Sequence, residues 1–369
     1  MLMKNIAERV IERAIEIQQI PAPTFDEKQR GEFVRDLFAE EGLQDVSVDE
    51  VGNIYARWTV DEGQLQGEKP LIVSAHLDTV FPRETNLEVK REGEKIFGPG
   101  LGDNSLGVAA LFGLLWSLRE RKFESPGDIW FVANVAEEGL GDLRGMKKVV
   151  ERFGEDVKAY LVLEGLALGH VYHRAVGVKR YRLTAHTTGG HSWSDYGKPS
   201  AIHELAKLIV QLISLELPSH PRTTINVGKI SGGTSVNVIA SEASLDLDLR
   251  SEGQETLAHL ISNVEKLIRY ANRHGVSIDA QVIGQRPAGE IGPDHPLVKL
   301  AVDCLDDLGL ESVLTTGSTD ANFPLSKDYP AIVLGISTGG SAHTIHEYIN
   351  PEPVAQGIEQ IVKFVERLW

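Results

Sequence analysis

Residues 71–82, LIVSAHLDTVFP, decide how the chain folds. Leu71 to Ala75 are apolar or small throughout, the composition of a strand covered on both faces. His76 and Asp78 follow at once, and Phe81-Pro82 marks a turn. In an open α/β sheet the ligand crevice lies beyond the carboxyl ends of the parallel strands. A His and an Asp two residues apart at that place suit a metal ligand and the carboxylate that orients its ring. A strand ending in a polar turn is the plainer reading, and this stretch alone does not separate the two. Recurrence of the pattern does.

Asp128 to Ala136, DIWFVANVA, is a second apolar run, ended by Glu137-Glu138-Gly139. Ala159 to Leu163 is a third, ended by Glu164-Gly165, and Ala331 to Ile336 a fourth, followed by residues 337–342 and His343. Each run hands over to a potential metal ligand: His76, Glu138, Glu164 and His343. An exposed acidic pair is the ordinary reading of Glu137-Glu138, but the preceding strand is too apolar to lie at the surface. In IFGPGLGDN, Gly98-x-Gly100-x-x-Asp103 has the look of a dinucleotide loop, with an acid where the third glycine belongs. A carboxylate at a helix N-terminus would repel a pyrophosphate. A nucleotide-binding enzyme would rest on this loop alone. The better reading is a tight loop presenting Asp103 before a buried helix over 104–118, with a plain N-cap as the alternative for Asp103.

If Asp103, Glu137, Glu138 and Glu164 converge at one sheet edge, their charges cannot all persist without compensation. Two divalent cations would balance them and use His76 and His343. Oxygen and imidazole donors without thiolate suit zinc, with cobalt or manganese as substitutes. Paired metals about 3.5–4 Å apart activate water and polarise a carbonyl. Such a centre needs one shared carboxylate and one left over as general base.

The rest of the chain frames this centre. The N-terminus is amphipathic, apolar at Ile6, Val10, Ala14 and Ile17, which argues for a helix rather than a signal peptide. A second helix is expected over 26–41, strand-like pieces at 46–51 and 53–60, and an exposed loop over 61–70. Residues 177–285 change texture to β-α-β-β-α-β with alternating strands, the pattern of a ferredoxin-like insert. A helix around 295–308 resumes the first domain. The expected fold is therefore α/β, a mixed sheet flanked by helices, with domains 1–176 and 288–369 forming the catalytic part and 177–287 an inserted α+β domain. The net charge of −16 over 369 residues excludes nucleic-acid and anionic-membrane partners as expectations. No apolar run is expected to reach a membrane span, and the single cysteine, Cys304, forms no intrachain disulfide, so a cytoplasmic location is expected.

HLDTV, GLGDN, EEGLGD, the strand end at Glu164 and GGSAHT together resemble, in order, the motifs of the zinc aminoacylase, carboxypeptidase G, peptidase T and desuccinylase superfamily. The resemblance implies a zinc-exopeptidase-like fold whose insert is a lid and dimerisation domain. It implies that Asp103 bridges two zinc ions, that His76 and Glu164 complete one site, and that Glu138 and His343 complete the other. Glu137 would be the general base and Asp78 would fix the His76 ring. His191, in GGHSWSDYGKPSAI, would stabilise the oxyanion, and Asn237 and Arg250 would hold the substrate. Arg250 has an alternative, a salt bridge to Asp246 or Asp248. The sequence departs from the family at Pro99 and Ser105, where related chains carry Arg and a Lys-Gly. His346 is a weaker rival to His343, and residues 318–322 match a family loop near the substrate pocket without an assignable role. The remaining histidines read as structural or exposed. The expected function is hydrolysis of an amide bond in a small peptide or other carboxylate-bearing substrate, as an exopeptidase. N-acyl amino acid deacylation or desuccinylation is the alternative, and a homodimer through the insert is expected. A metal-binding protein without catalysis is a further alternative, and the presence of Glu137 speaks against it.

Overall fold

The computed structural model describes residues 2–59 and 68–369. Most of the loop expected over 61–70 lies outside the described residues. The chain forms two compact units, one of Met1–Ala175 with Glu290–Trp369 and the other of Val176–Gly289.

The first unit is built on a nine-stranded mixed sheet. Its first seven strands in space are Gln44–Val48, Ile54–Trp58, Ile129–Asn134, Leu71–His76, Ala159–Glu164, Ala331–Gly335 and His170–Ala175. The four from Ile129–Asn134 to Ala331–Gly335 are parallel to one another. Leu71, Ile72, Val73 and Ala75 have no exposure, so the uninterrupted apolar run reflects cover on both faces. Each buried Leu or Ile of this kind contributes roughly 1.5–3 kcal/mol.

The helices Leu2–Gln18, Leu106–Glu120 and Val354–Glu366 pack against one another, and Lys28–Glu40 packs on the outer strands Gln44–Val48 and Ile54–Trp58. Ile6, Val10, Ala14 and Ile17 form the buried stripe of the first helix. The helix expected from Asn104 begins at Leu106, because Leu101–Ser105 forms a wider π-type turn. Residues Leu101–Glu120 are long and apolar enough to cross a membrane, contrary to the expectation that no run would be, and the segment is almost wholly buried inside the protein. It is apolar all round because it is covered all round. The sequence reading assigned no helix to Arg144–Phe153 or Val354–Glu366.

In the second unit, strands Gly177–Thr187, Thr223–Gly232, Glu242–Ser251 and Val276–Arg286 alternate with helices Ala201–Ile213 and Gln254–Ala271 in β-α-β-β-α-β order. The sheet runs second, third, first, fourth strand, all antiparallel, which is the ferredoxin-like arrangement. Tyr181, Leu183 and Ala185 with Leu245, Leu247 and Leu249 form its buried face. The alternate positions carry ion pairs, Arg182 with Asp246 and Arg180 with Asp248. The chain leaves the first unit and re-enters it at hydrogen-bonded neighbours: Ile291 N donates to His173 O at 3.0 Å, and His173 Nδ1 lies 2.6 Å from Ile291 O.

Candidate metal centre

Strand register brings the expected ligands to one edge of the sheet in the first unit. His76 is the last residue of its strand and pairs with Asn134, so Glu137 and Glu138 follow just beyond the neighbouring strand. Glu164 ends the next strand and pairs with Gly335, from which the chain runs on to His343. Parallel strands in register end together, and here each ends in or just before a donor.

The donors fall into sets whose ligand atoms lie within 4.8 Å of one another: His76, Asp103 and Glu164, and then Asp103, Glu138 and His343. These two sets share Asp103 alone. His76 Nε2 stands 3.2 Å from Asp103 Oδ1 and 3.8 Å from Glu164 Oε2. His343 Nε2 stands 3.0 Å from both Asp103 Oδ2 and Glu138 Oε1. The two oxygens of Asp103 thus face different imidazoles. Donor atoms around a tetrahedral ion with bonds of about 2.0–2.1 Å stand roughly 3.3 Å apart, which these spacings straddle. A third set joins His76, Glu137 and Glu138, so Glu137 borders the centre while standing outside both sets that contain Asp103.

The electrostatics also fit cations. Burial opposes charge on His76, yet its bonds to Asp103 and Asp78, with Glu164 and Glu137 nearby, raise its pKa well above the ordinary value. The bonds to Asp103 and Glu138 push His343 up to about 10. Burial would raise Asp103, but His343 and His76 outweigh it and hold the carboxylate below its usual range. Burial, reinforced by Asp103 and Glu137 against the pull of His76, raises Glu164 well above its usual range. Imidazoles and carboxylates packed this closely favour positive charge among them, which metal ions would supply. The nitrogen and oxygen donors, with no thiolate among them, fit a pair of divalent ions such as zinc.

Asp78 is fully buried and works on the backbone as well as on the ring. Its Oδ1 and Oδ2 accept from the amides of Glu137 and Glu138, each at 2.9 Å, and Thr24 Oγ1 donates to Oδ2 at 2.9 Å. His76 Nδ1 lies 3.0 Å from the Asp78 carbonyl and 3.5 Å from its Oδ1. The ring is thus oriented mainly through the main chain, while the side chain positions the two glutamates. Behind it, buried Glu27 accepts from the amides of Phe25 and Ala136, each at 3.0 Å.

The loop that presents Asp103 is tied down by residues that the sequence reading did not single out. Asn104 donates to Leu163 O at 2.9 Å and accepts from Gly165 N at 2.8 Å, so its amide continues the ladder of the Glu164 strand. Glu347 has no exposure, and its carboxylate accepts from the amides of Gly100, Gly102 and Asp103 at 3.1, 2.7 and 2.9 Å. Burial pushes Glu347 up to about 7 against the pull of those amides. Gly100 adopts φ +71° with Thr79 Cγ2 only 2.7 Å from where a Cβ would sit, so a side chain there would be strained and would displace Thr79.

His346 is exposed and belongs to none of the donor sets among the described residues. In residues 318–322, Asp320 is buried and accepts from Asn134 Nδ2 at 2.6 Å, which makes this loop a support behind the strand ends. Three further residues lie in the second unit. His191 is exposed on a short bridge, Gly190–His191 with Val238–Ile239. Its Nδ1 accepts from the amides of Trp193 and Ser194 at 3.2 and 3.4 Å, which leaves the ring proton on Nε2 in the neutral form. Asn237 is brought beside it, its carbonyl accepting from Ser192 N at 3.0 Å. Arg250 bonds Asp248 through Nε at 2.7 Å, the ion pair its strand spacing allowed, and Arg180 shares the same carboxylate.

Comparison with known proteins agrees with this reading of fold and family. A peptidase M20 domain-containing protein of Schizosaccharomyces pombe is 26% identical over 309 residues, covering 81% of this chain and 70% of that one. A tripeptidase from Staphylococcus aureus superposes with a TM-score of 0.84 at 23% identity, covering 98% of each chain. A dinuclear metal binding peptidase of family M20 from Bacillus subtilis gives 0.70 at 18% identity, again over 98% of each. Residues 72–367 match the family described as Peptidase family M20/M25/M40, a span that takes in His76 through His343. The chain belongs to this family and is a metal-dependent peptidase or amidohydrolase.

Proposed function

We propose that the protein is a di-zinc exopeptidase that removes a terminal residue from small peptides. The observation that carries this reading is the division of donors: two sets meet only at Asp103, and Glu137 stands outside both. His76 and Glu164 would hold one ion, Glu138 and His343 the other, and Asp103 both. Bound divalent ions supply Lewis acidity, polarising the scissile carbonyl and easing deprotonation of water.

The chain's own residues do the rest. Glu137 takes the proton from the attacking water and passes it to the leaving nitrogen, and Asp78 holds the backbone of Glu137 and Glu138 for that transfer. His191 presents a ring proton for the oxyanion, a role supported by the tautomer that its Nδ1 bonds select. Asn237 and Arg250 are assigned to the substrate's polar groups, with Arg250 suited to a carboxylate by its planar fork. The second unit is proposed to pair two chains, a reading supported by the outermost strand Thr223–Gly232 and by exposed Val210 and Ile213 on Ala201–Ile213. Cytoplasmic action is part of the proposal and accords with a lone, buried Cys304.

The test is hydrolysis of a matched pair by zinc-loaded protein, with a chelated sample as control. One substrate is a dipeptide with a free amine, the other the same C-terminal residue capped by a simple acyl group. Cleavage of the dipeptide, abolished by chelation, is expected. Cleavage of the acylated residue alone would make the protein a deacylase, and activity indifferent to chelation would overturn the metal mechanism.

A further inference from the structure

Among the described residues Glu347 belongs to none of the donor sets, yet it joins two of the three segments that supply the second of them, the Asp103 loop and the His343 turn. It stands four residues after His343 in the same turn, where Thr344 Oγ1 and Glu347 N bond to Ser341 O and Thr344 O. Its side chain reaches across to the Asp103 loop, where one carboxylate oxygen accepts from Gly102 N and Asp103 N and the other from Gly100 N. Its own carbonyl accepts from Gly98 N at 2.9 Å, and the next residues pair Tyr348 with Phe97 and Ile349 with Ile96. The His343 turn is therefore fastened to the Asp103 loop at both ends of that loop.

The opposite flank of the loop is held by a different device, the Asn104 amide inserted between Leu163 and Gly165 beside Glu164. His76 and Glu164 sit at the ends of central strands, where they pair with Asn134 and Gly335 in the ladder. Asp103, common to both donor sets, thus has a tether at Asn104 beside the one at Glu347, whereas the His343 turn is joined to the loop through Glu347.

We propose that Glu347 is a positioning residue that sets the spacing of His343 to Asp103, and so governs one metal position selectively: that of Asp103, Glu138 and His343. This rests on reading the donor sets as metal sites. A carboxylate is required because both oxygens must accept. Glutamine would turn an NH2 group toward the Gly100 amide, setting donor against donor in a buried place. Residues supporting ligands in this way typically alter metal affinity about 10–100-fold.

The experiment is calorimetric titration of the metal-free protein with zinc ion alone. Wild type is expected to take two ions. Glu347→Gln is expected to take one with wild-type affinity and the other about 10–100-fold more weakly. In a His343→Ala background, where that position is already lost, adding Glu347→Gln should leave the remaining ion's affinity unchanged. Glu347→Asp keeps the charge on a shorter arm and should show the same selective loss to a lesser degree. It serves as the readout if the glutamine variant does not fold. Equal weakening of both ions, no weakening, or further loss in the His343→Ala background would overturn the proposal while leaving the metal centre standing. A wild type that takes no zinc would overturn the metal reading and this inference with it.

Discussion

Glu137 and Glu138 are chain neighbours whose amides are held by the two oxygens of one buried carboxylate, yet their side chains keep different company. Glu138 shares a donor set with Asp103 and His343, whereas Glu137 shares one with His76 and Glu138 and stands outside both sets that contain Asp103. Glu137→Gln is therefore expected to keep its metal, measured by atomic emission, while turnover falls by about 10²–10⁴. Unchanged turnover would remove Glu137 from the mechanism. The residues at strand ends were legible because each follows an apolar run that has no reason to end in an acid or an imidazole. Glu347 was not, since its role exists only across 244 residues of chain, where three backbone amides converge on it. A buried acid in a polar turn carries no local mark of that. The ion pair of Arg250 with Asp248 lay between these cases: two-residue spacing on a strand allowed it, and only the fold selected Asp248 over Asp246.

The helix Leu106–Glu120 shows how an element can be evident in kind and obscure in limits. Its apolar length announced burial, but its start depended on the π-type turn that swings Asp103 toward the site. Phe112 lies at its centre with no exposure, stacked on Phe38 with centroids 5.0 Å apart. Phe112→Ala should cost about 3–5 kcal/mol in denaturant unfolding of the metal-free protein, through lost burial and the cavity left behind. A loss below 1 kcal/mol would mean that the core closes over the gap. Val354–Glu366 was legible in principle, with Ile358, Ile361, Val362 and Val365 at helical spacing. Arg144–Phe153 offered less, a short charged segment entered through left-handed residues at Asp142 and Leu143.

At the scale of the molecule, the insert's strand order and alternation were readable from the sequence, because each of its strands buries one face and exposes the other. Its outermost strand Thr223–Gly232 leaves backbone groups at an edge, and the exposed apolar residues of Ala201–Ile213 lie on the same unit. Light scattering is expected to return twice the 40.5 kDa of one chain at micromolar concentration. A mass of one chain would set aside the pairing and leave the metal centre untouched.

The hydrogen-bonded meeting of His173 and Ile291 has a consequence for descent. A chain that departs and returns at one spot can lose, enlarge or exchange everything between without rethreading the rest. The hydrolytic half and its guest can therefore be inherited at different rates. If the proposed roles of His191, Asn237 and Arg250 hold, drift in the guest would change what is admitted for cleavage while the metal ligands stay as they were.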